Sequence, residues 1–420
     1  MKRKTVIGIL LLCIMLGIAQ ILLNVTNPTI AARKIKYSPI LIDGDADFAK
    51  KANRNGWSGS GTSGDPYIIE YYDLIIPYKR GKKSNIPPVA ISISNTTVFF
   101  EIRYSTISNY NGEVDGILLW NVKHGKIFNN TIFNFVNGIS LVRSDYNNIT
   151  NNIIQAYSES TTASPPSRNI RFKVDIAQAF ISRGVFLDPS NYNIIANNSI
   201  SGFTGTGVEL LDSSKNTIDG NEINSSVGEN GVFLKGSNYN NITNNEISGY
   251  YDDSPPGSPV SQNIRYRVDG VQAFISRGVF LDPSDYNIIA NNSISGFTGT
   301  GVELLDSSKN TIDGNEINSS VGENGVFLKG SNYNNITNNE ISGYYDDSPP
   351  GSPVSQNIRY RVDGVQAFIS RGVFLDPSDY NIIANNSISG FTGTGVELLD
   401  SSKNTIDGNE INSSVGENGV

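Results

Sequence analysis

Three acidic side chains, Asp282, Glu303 and Asp306, fall on two consecutive segments of this 420-residue chain. Two carboxylates flanking a bond are the minimum for glycoside hydrolysis, one to protonate and one to attack or to activate water. The same set returns at Asp188, Glu209 and Asp212, and again at Asp376, Glu397 and Asp400. A catalytic cleft is usually a single break in a scaffold. A set that recurs with the scaffold reads instead as solvent-facing acid at turns. Asp43, Asp45 and Asp47 have the spacing that opens a calcium loop, but Phe48 and Arg54 stand where an EF-hand needs Gly and Glu. An Asp-rich turn is the other reading. Aromatic residues recur with the same regularity. Phe186, Phe233, Phe280, Phe327 and Phe374 are interleaved with Glu209, Glu303 and Glu397, and Tyr192, Tyr239, Tyr286, Tyr333 and Tyr380 form a second series. Exposed aromatics beside carboxylates suit stacking on sugars or docking of a partner protein. Phe280, Phe327, Tyr286, Tyr333 and Glu303 are therefore the candidate ligand-binding residues. The alternative is that a hairpin carrying Ile264, Tyr266 and Val268 folds back over the Phe series.

The elements that position these residues follow from a repeat. A 94-residue block opens at Gly184 and returns at Gly278 and Gly372. Within it, Gly openings at 184, 207, 231, 278, 301, 325, 372, 395 and 419 step by 23, 24 and 47 residues. A period of this size marks a solenoid. Counting the opening Gly as zero, offset 11 is Ile, offset 14 is Asn and offset 16 is Ile. Gly116 and Gly138 start diverged coils that obey the same rule. The Asn positions are 130, 152, 198, 221, 245, 292, 315, 339, 386 and 409. Coils of 22–24 residues are too short for the common helical repeats, which exceed about 30. Alternating apolar residues between Gly, Asn, Asp and Ser predict two or three short strands per coil. Stacked coils put Ile in inward columns. Asn130, Asn152, Asn198, Asn221, Asn245, Asn292, Asn315, Asn339, Asn386 and Asn409 then form an amide ladder, each bonded above and below.

The runs SDYNNITNNII (144–154) and SNYNNITNNEI (237–247) carry a resemblance. They resemble the right-handed parallel β-helix repeat of pectin-lyase-like proteins, and more narrowly the NosD-like group of exported proteins. The resemblance covers about residues 90 to 420 and supplies the handedness. It implies an all-β, single-stranded right-handed parallel β-helix of about ten coils with three coil-edge insertions. That fold carries lyases, hydrolases, adhesins and metallochaperone accessories alike. NosD-like proteins are named for a role in copper supply, and copper wants His, Met or Cys. Beyond residue 32 the chain has His124, no Met and no Cys, so no copper site and no other metal site is expected. The Gly-His-Gly and Arg-Ile-Lys motifs of polygalacturonase-like enzymes are absent.

Lys2, Arg3 and Lys4 precede an apolar run over 6–23. Residues 1–32 read as a signal peptide or an N-terminal membrane anchor, with the remainder exported. Residues 33–88 lack the coil rule and read as the N-terminal cap of the solenoid. Residues 89–420 are the helix, with blocks at 184, 278 and 372. Residues 33–420 carry 29 basic and 40 acidic side chains, net −11, which argues against nucleic acid and anionic lipid. Contact with membrane is expected only through residues 6–23. The insertion Tyr250–Arg277 reads as a Pro/Ser/Gly excursion followed by a β-hairpin turning at Asp269-Gly270. Val420 stands two residues into a new coil, as in a fragment of a longer protein. The sequence thus predicts an extracellular or cell-surface β-helix that binds polysaccharide or a surface protein rather than catalysing. A polysaccharide lyase or glycoside hydrolase is the alternative.

Overall fold

The computed structural model describes residues 34–76, 89–109, 114–156, 182–225, 230–249, 276–297, 299–319, 324–343, 370–412 and 418–420. The apolar run 6–23, the hairpin at Asp269-Gly270 and the Pro-rich excursions lie outside these residues.

In the rung that opens at Gly207, three strands follow one another: Thr206–Leu211, Thr217–Asp219 and Glu222–Ser225. Each pairs in parallel with its counterparts one rung before and after. Val208 lies between Val185 and Val232, Ile218 between Ile195 and Ile242, and Ile223 between Ile200 and Ile247. Repetition of this register builds three parallel sheets of 12, 12 and 13 strands. The first sheet starts at Ile40–Asp43, the second at Tyr67–Glu70, and the third at Lys34–Lys36. The chain is an all-β parallel β-helix.

Inward residues form the predicted columns. Val208, Leu210, Ile218 and Ile223 are fully buried, as are their counterparts in neighbouring rungs. Truncating one such Ile to Ala costs about 2–5 kcal/mol. The opening Gly is a steric requirement. A Cβ on Gly301 would lie 2.3 Å from Ile317 Cγ2 and 2.7 Å from the Gly325 carbonyl oxygen. No larger residue lets the third sheet turn into the first at this separation.

The bends between strands are buried, so their backbone groups need partners. Asn221 Nδ2 donates to Asn245 Oδ1 in the next rung (3.0 Å) and to the Ile195 carbonyl in the previous one (2.8 Å). Its backbone N–H donates to the same Asn245 Oδ1 (2.9 Å), while its own Oδ1 accepts from Asn198 (3.0 and 2.9 Å). A second ladder at offset 9 repeats the scheme, with Asn193 Nδ2 to Asn216 and Asn216 Nδ2 to Asn240 (both 3.2 Å). A third at offset 6 is made of serines, where Ser190 N–H donates to Ser213 Oγ and Ser213 N–H to Ser237 Oγ (2.9 and 3.0 Å).

The N-terminal segment differs from expectation. Residues 33–88 lack the coil rule and are expected to cap the solenoid. Instead Ile40–Asp43, Tyr67–Glu70 and Tyr72–Ile76 already belong to the three sheets, and the sheets run past the ten or so coils anticipated. These strands lack the Ile-x-x-Asn-x-Ile spacing, so the repeat does not announce them. Between the first two lies a helix, Asp45–Asn55, which buries Phe48 and Ala52. Phe48 stacks on Tyr67 (4.9 Å) and meets Phe100 (5.4 Å). Trp57 Nε1 donates to Tyr72 Oη (3.0 Å). The helix therefore closes the apolar end of the first rung. At Ser105 the Asn ladder is handed on: Ser105 N–H donates to Asn130 Oδ1, and Ser105 Oγ accepts from Tyr72 N–H (both 3.1 Å).

Asn315→Leu is expected to destabilise the rod by about 3 kcal/mol, because it leaves the buried donors of Asn292 without an acceptor. Asn318→Leu, on the exposed face of the same rung, should change stability by less than about 0.5 kcal/mol. Denaturant unfolding of both checks this, and equal midpoints would refute the ladder's energetic role.

Candidate functional site

The Asp-rich segment meets protein donors rather than forming an open metal loop. Asp43 Oδ1 accepts from Ser94 and Asn95 (2.9 and 2.7 Å). Asp45 Oδ1 accepts from the Thr96 hydroxyl and from Thr97 N–H (3.2 Å for the latter). Asp47 Oδ2 takes Asp43 N–H and the Lys51 ammonium. The Asn95 bond holds Asp43 below the ordinary carboxylate range, and the Lys51 bond does the same for Asp47. Asp45 and Asp47 occupy the first helical turn, where the backbone dipole favours negative charge.

On the outer face of the first sheet, Phe280 pairs in register with Phe233 and Glu303. Phe233 and Phe280 stack at 5.0 Å, as do Phe327 and Phe374. These rings are half-buried, less open than the sequence suggested. Arginines explain part of the difference. The guanidinium of Arg277 lies over Phe280 at 4.4 Å and donates to Glu303. Arg183 does the same for Phe186 and Glu209, and Arg371 for Phe374 and Glu397. Glu303 is thus held by a cation on the same face, a poor starting point for a hydrolytic carboxylate. Asp282 lies two residues beyond Phe280 in the chain, and Asp306 occupies a left-handed turn at φ 49°.

The tyrosine series is more open. Tyr286 and Tyr333 are 40% and 56% exposed. They stand at the bend before the second sheet, in a left-handed conformation with φ 59° at both. The column starts with Phe99 and His124, whose rings stack at 4.4 Å, so the chain's single histidine is an aromatic member of this row. Tyr146 stacks on Tyr192 at 4.9 Å, Tyr239 on Tyr286 at 4.8 Å, and Tyr333 on Tyr380 at 4.8 Å. Lysines fill the intervening rungs. Lys215 lies over Tyr192 at 5.1 Å, Lys309 over Tyr286 at 4.8 Å, and Lys403 over Tyr380 at 4.7 Å. Each of these rings stacks on one Tyr neighbour, and Tyr192, Tyr286 and Tyr380 also meet a Lys. Sequence reasoning found the Tyr positions but missed the lysines and the Arg–Glu clamps. Their signal was present: within the 94-residue blocks Lys holds offset 8 wherever Tyr is absent, and Arg precedes the opening Gly once per block.

One acid outside the repeat stands apart. Asp115 Oδ1 accepts from Asn137 Nδ2 (2.8 Å), and its Oδ2 from Ser140 Oγ (3.2 Å). Burial pushes its carboxyl above the ordinary value, opposed by those two bonds and by the charge of Arg183.

Two family models match parts of the chain. Residues 84–253 match the family described as periplasmic copper-binding protein (NosD), and residues 277–420 match the right handed beta helix region family. The DFA-IIIase of Arthrobacter chlorophenolicus A6, solved without its lid in complex with GF2, is 12% identical with a TM-score of 0.50, over 89% of this chain and 85% of that one. The Dettilon tailspike protein is 13% identical with a TM-score of 0.49, over 89% of this chain; the match spans 60% of the tailspike. PfbA, a surface adhesin of Streptococcus pneumoniae, is 14% identical with a TM-score of 0.49, over 84% of this chain and 79% of the adhesin. No curated protein matches.

Asp115 gives a pH test. Its folded pKa is raised, so the folded state holds the proton more tightly than the unfolded state. The associated stability is full below the ordinary value of 3.8 and is lost as pH rises through the raised midpoint. Asp115→Asn should flatten that part of the stability–pH curve. An unchanged slope would contradict the assignment.

Proposed function

We propose that this chain, a right-handed parallel β-helix protein of the NosD-like group, is an exported module that holds carbohydrate or a surface partner along its outer columns. The observation that carries this reading is the exposed column of stacked Tyr pairs, alternating with Lys and repeated with each block. A stacked aromatic row is rigid and amphipathic, so it binds with little loss of side-chain freedom. Phe280 and Phe327 add half-buried apolar surface on the neighbouring face, with Glu303 fixed by Arg277 as a hydrogen-bond acceptor. The name of the matched family supports a periplasmic or extracellular location. Binding is favoured over cleavage because Glu303 and its copies are each engaged by an arginine.

A glycan array probed with the purified chain, with reducing-sugar release measured on the same panel, tests this. Binding without release is expected. Tyr286→Ala should weaken it about tenfold. Release of reducing ends would move the protein to the enzyme class, and an array without any bound glycan or surface extract would sink the carbohydrate reading.

A further inference from the structure

The Tyr column has a chemistry of its own. Lys215 Nζ donates to Tyr192 Oη (2.8 Å), Lys309 Nζ to Tyr286 Oη (2.6 Å), and Lys403 Nζ to Tyr380 Oη. A phenol that accepts from an ammonium must send its own O–H elsewhere, and each ammonium keeps two further donors. The bond to tyrosine also holds Lys215 and Lys309 above the ordinary lysine value, so they stay charged. Each pair is therefore a compact, donor-rich, cationic point on an exposed corner. The pairs recur every three rungs, about 14 Å along the axis.

Several carboxylates around the column keep their charge but are held by hydrogen bonds from the protein. Glu222, Glu246, Glu316 and Glu340 project from the third sheet, on a different face. Near the column, Asp219 Oδ1 is taken by Thr243 and Asn244 (both 2.7 Å), and Asp313 by Thr337 and Asn338 (both 2.7 Å). Asp285 and Asp379 each precede a column Tyr, and each Oδ1 accepts a backbone N–H, from Ser308 and Ser402 (both 2.6 Å). In the first block Asn191 fills that place and makes the same bond to Ser214 (2.7 Å). The strand beside the column offers exposed Ile194 and Ile288 between Thr217, Asn241 and Thr311. Neutral hydrogen-bonding groups mixed with small apolar surface fit sugar hydroxyls and ring faces better than a charged peptide.

We propose that the Tyr–Tyr–Lys column is a track for a linear acidic glycan, taking one anionic group of the polymer at each Lys–Tyr pair. This rests on the binding reading above and names its ligand class. The anion is a carboxylate or a sulfate. A polymer long enough to reach from one pair to the next binds the second site intramolecularly. Affinity then rises in steps with polymer length, not smoothly.

The test titrates the purified chain with uronate oligomers of graded length, sulfated oligosaccharides of matched length, neutral dextran and poly-glutamate. The expected result is acid-selective, salt-sensitive binding that strengthens about 10²-fold once the oligomer exceeds about 14 Å. The two acidic series tell carboxylate from sulfate. Lys309→Gln should remove the step that depends on its block, and the triple Lys215, Lys309 and Lys403 to Gln variant should remove all steps. Asp285→Asn copies the residue the first block already uses, so its fold is safe. It should strengthen binding about two- to fivefold. Dextran bound as tightly as uronate, with Lys309→Gln silent, would overturn the proposal and leave the broader binding reading standing. Poly-glutamate bound as well as uronate, or no length step, would also overturn it. No glycan bound at all would overturn both.

Discussion

The rod depends on satisfying the backbone at its bends. A coil of parallel strands must turn three times per rung, and each turn leaves N–H and C=O groups aimed along the axis, out of reach of water. At the two bends that flank the second sheet, Asn at offset 14 on one side and Asn at offset 9 with Ser at offset 6 on the other supply those partners. A primary amide is suited to this because it donates and accepts at opposite ends, so each rung passes an acceptor to the one before it and receives one from the one after. The apolar columns then contribute most of the free energy, and the amides at the bends reinforce the register those columns set. Like must stack on like at the bends, and this requirement is what makes the sequence repetitive.

That same requirement decided how much could be read without coordinates. Wherever Ile, Asn and Ile kept their offsets, from Ile127-Asn130-Ile132 onward, sheets, inward columns and ladder were all legible. The strands Tyr67–Glu70 and Tyr72–Ile76 were missed because there an aromatic cluster around Phe48 fills the core and Ser105 stands in for the ladder Asn. Aromatic packing has no fixed spacing in sequence. The candidate site divided in the same way. Tyr286 and Tyr333 were found because they repeat on an exposed corner. The ties of Arg277 to Glu303 and of Lys309 to Tyr286 were not found, since each joins residues 26 or 23 positions apart that only the rung geometry brings together.

The outer columns contrast with the inner ones in what they demand. An inward position accepts a narrow set of residues, Ile or Val in the column of Ile117, Ile139 and Val185, since its neighbours above and below constrain it. At the column before the second sheet the backbone sits near φ 58° whether the side chain is Tyr192 or Lys215. The fold fixes the placement and leaves the chemistry open. Functional variety can therefore be written on the outside of the rod at little cost to stability.

The joint between blocks has a further consequence. Asn245 donates to Asn292 across a joint at 3.0 Å, and Asn198 to Asn221 within a block at 2.9 Å. Val232 meets Val279 across the joint in the register that Val208 keeps with Val232 inside it. In its ladder and inward register the seam matches the interior, and on the outer face every joint carries the same Phe–Phe and Tyr–Tyr stacks. Gaining or losing one 94-residue unit creates no new interface and removes none of a unique kind. Genetic recombination between near-identical units would yield a folded product each time. The reach of the molecule is thus a quantity that a population can vary by whole increments, without passing through a misfolded intermediate length.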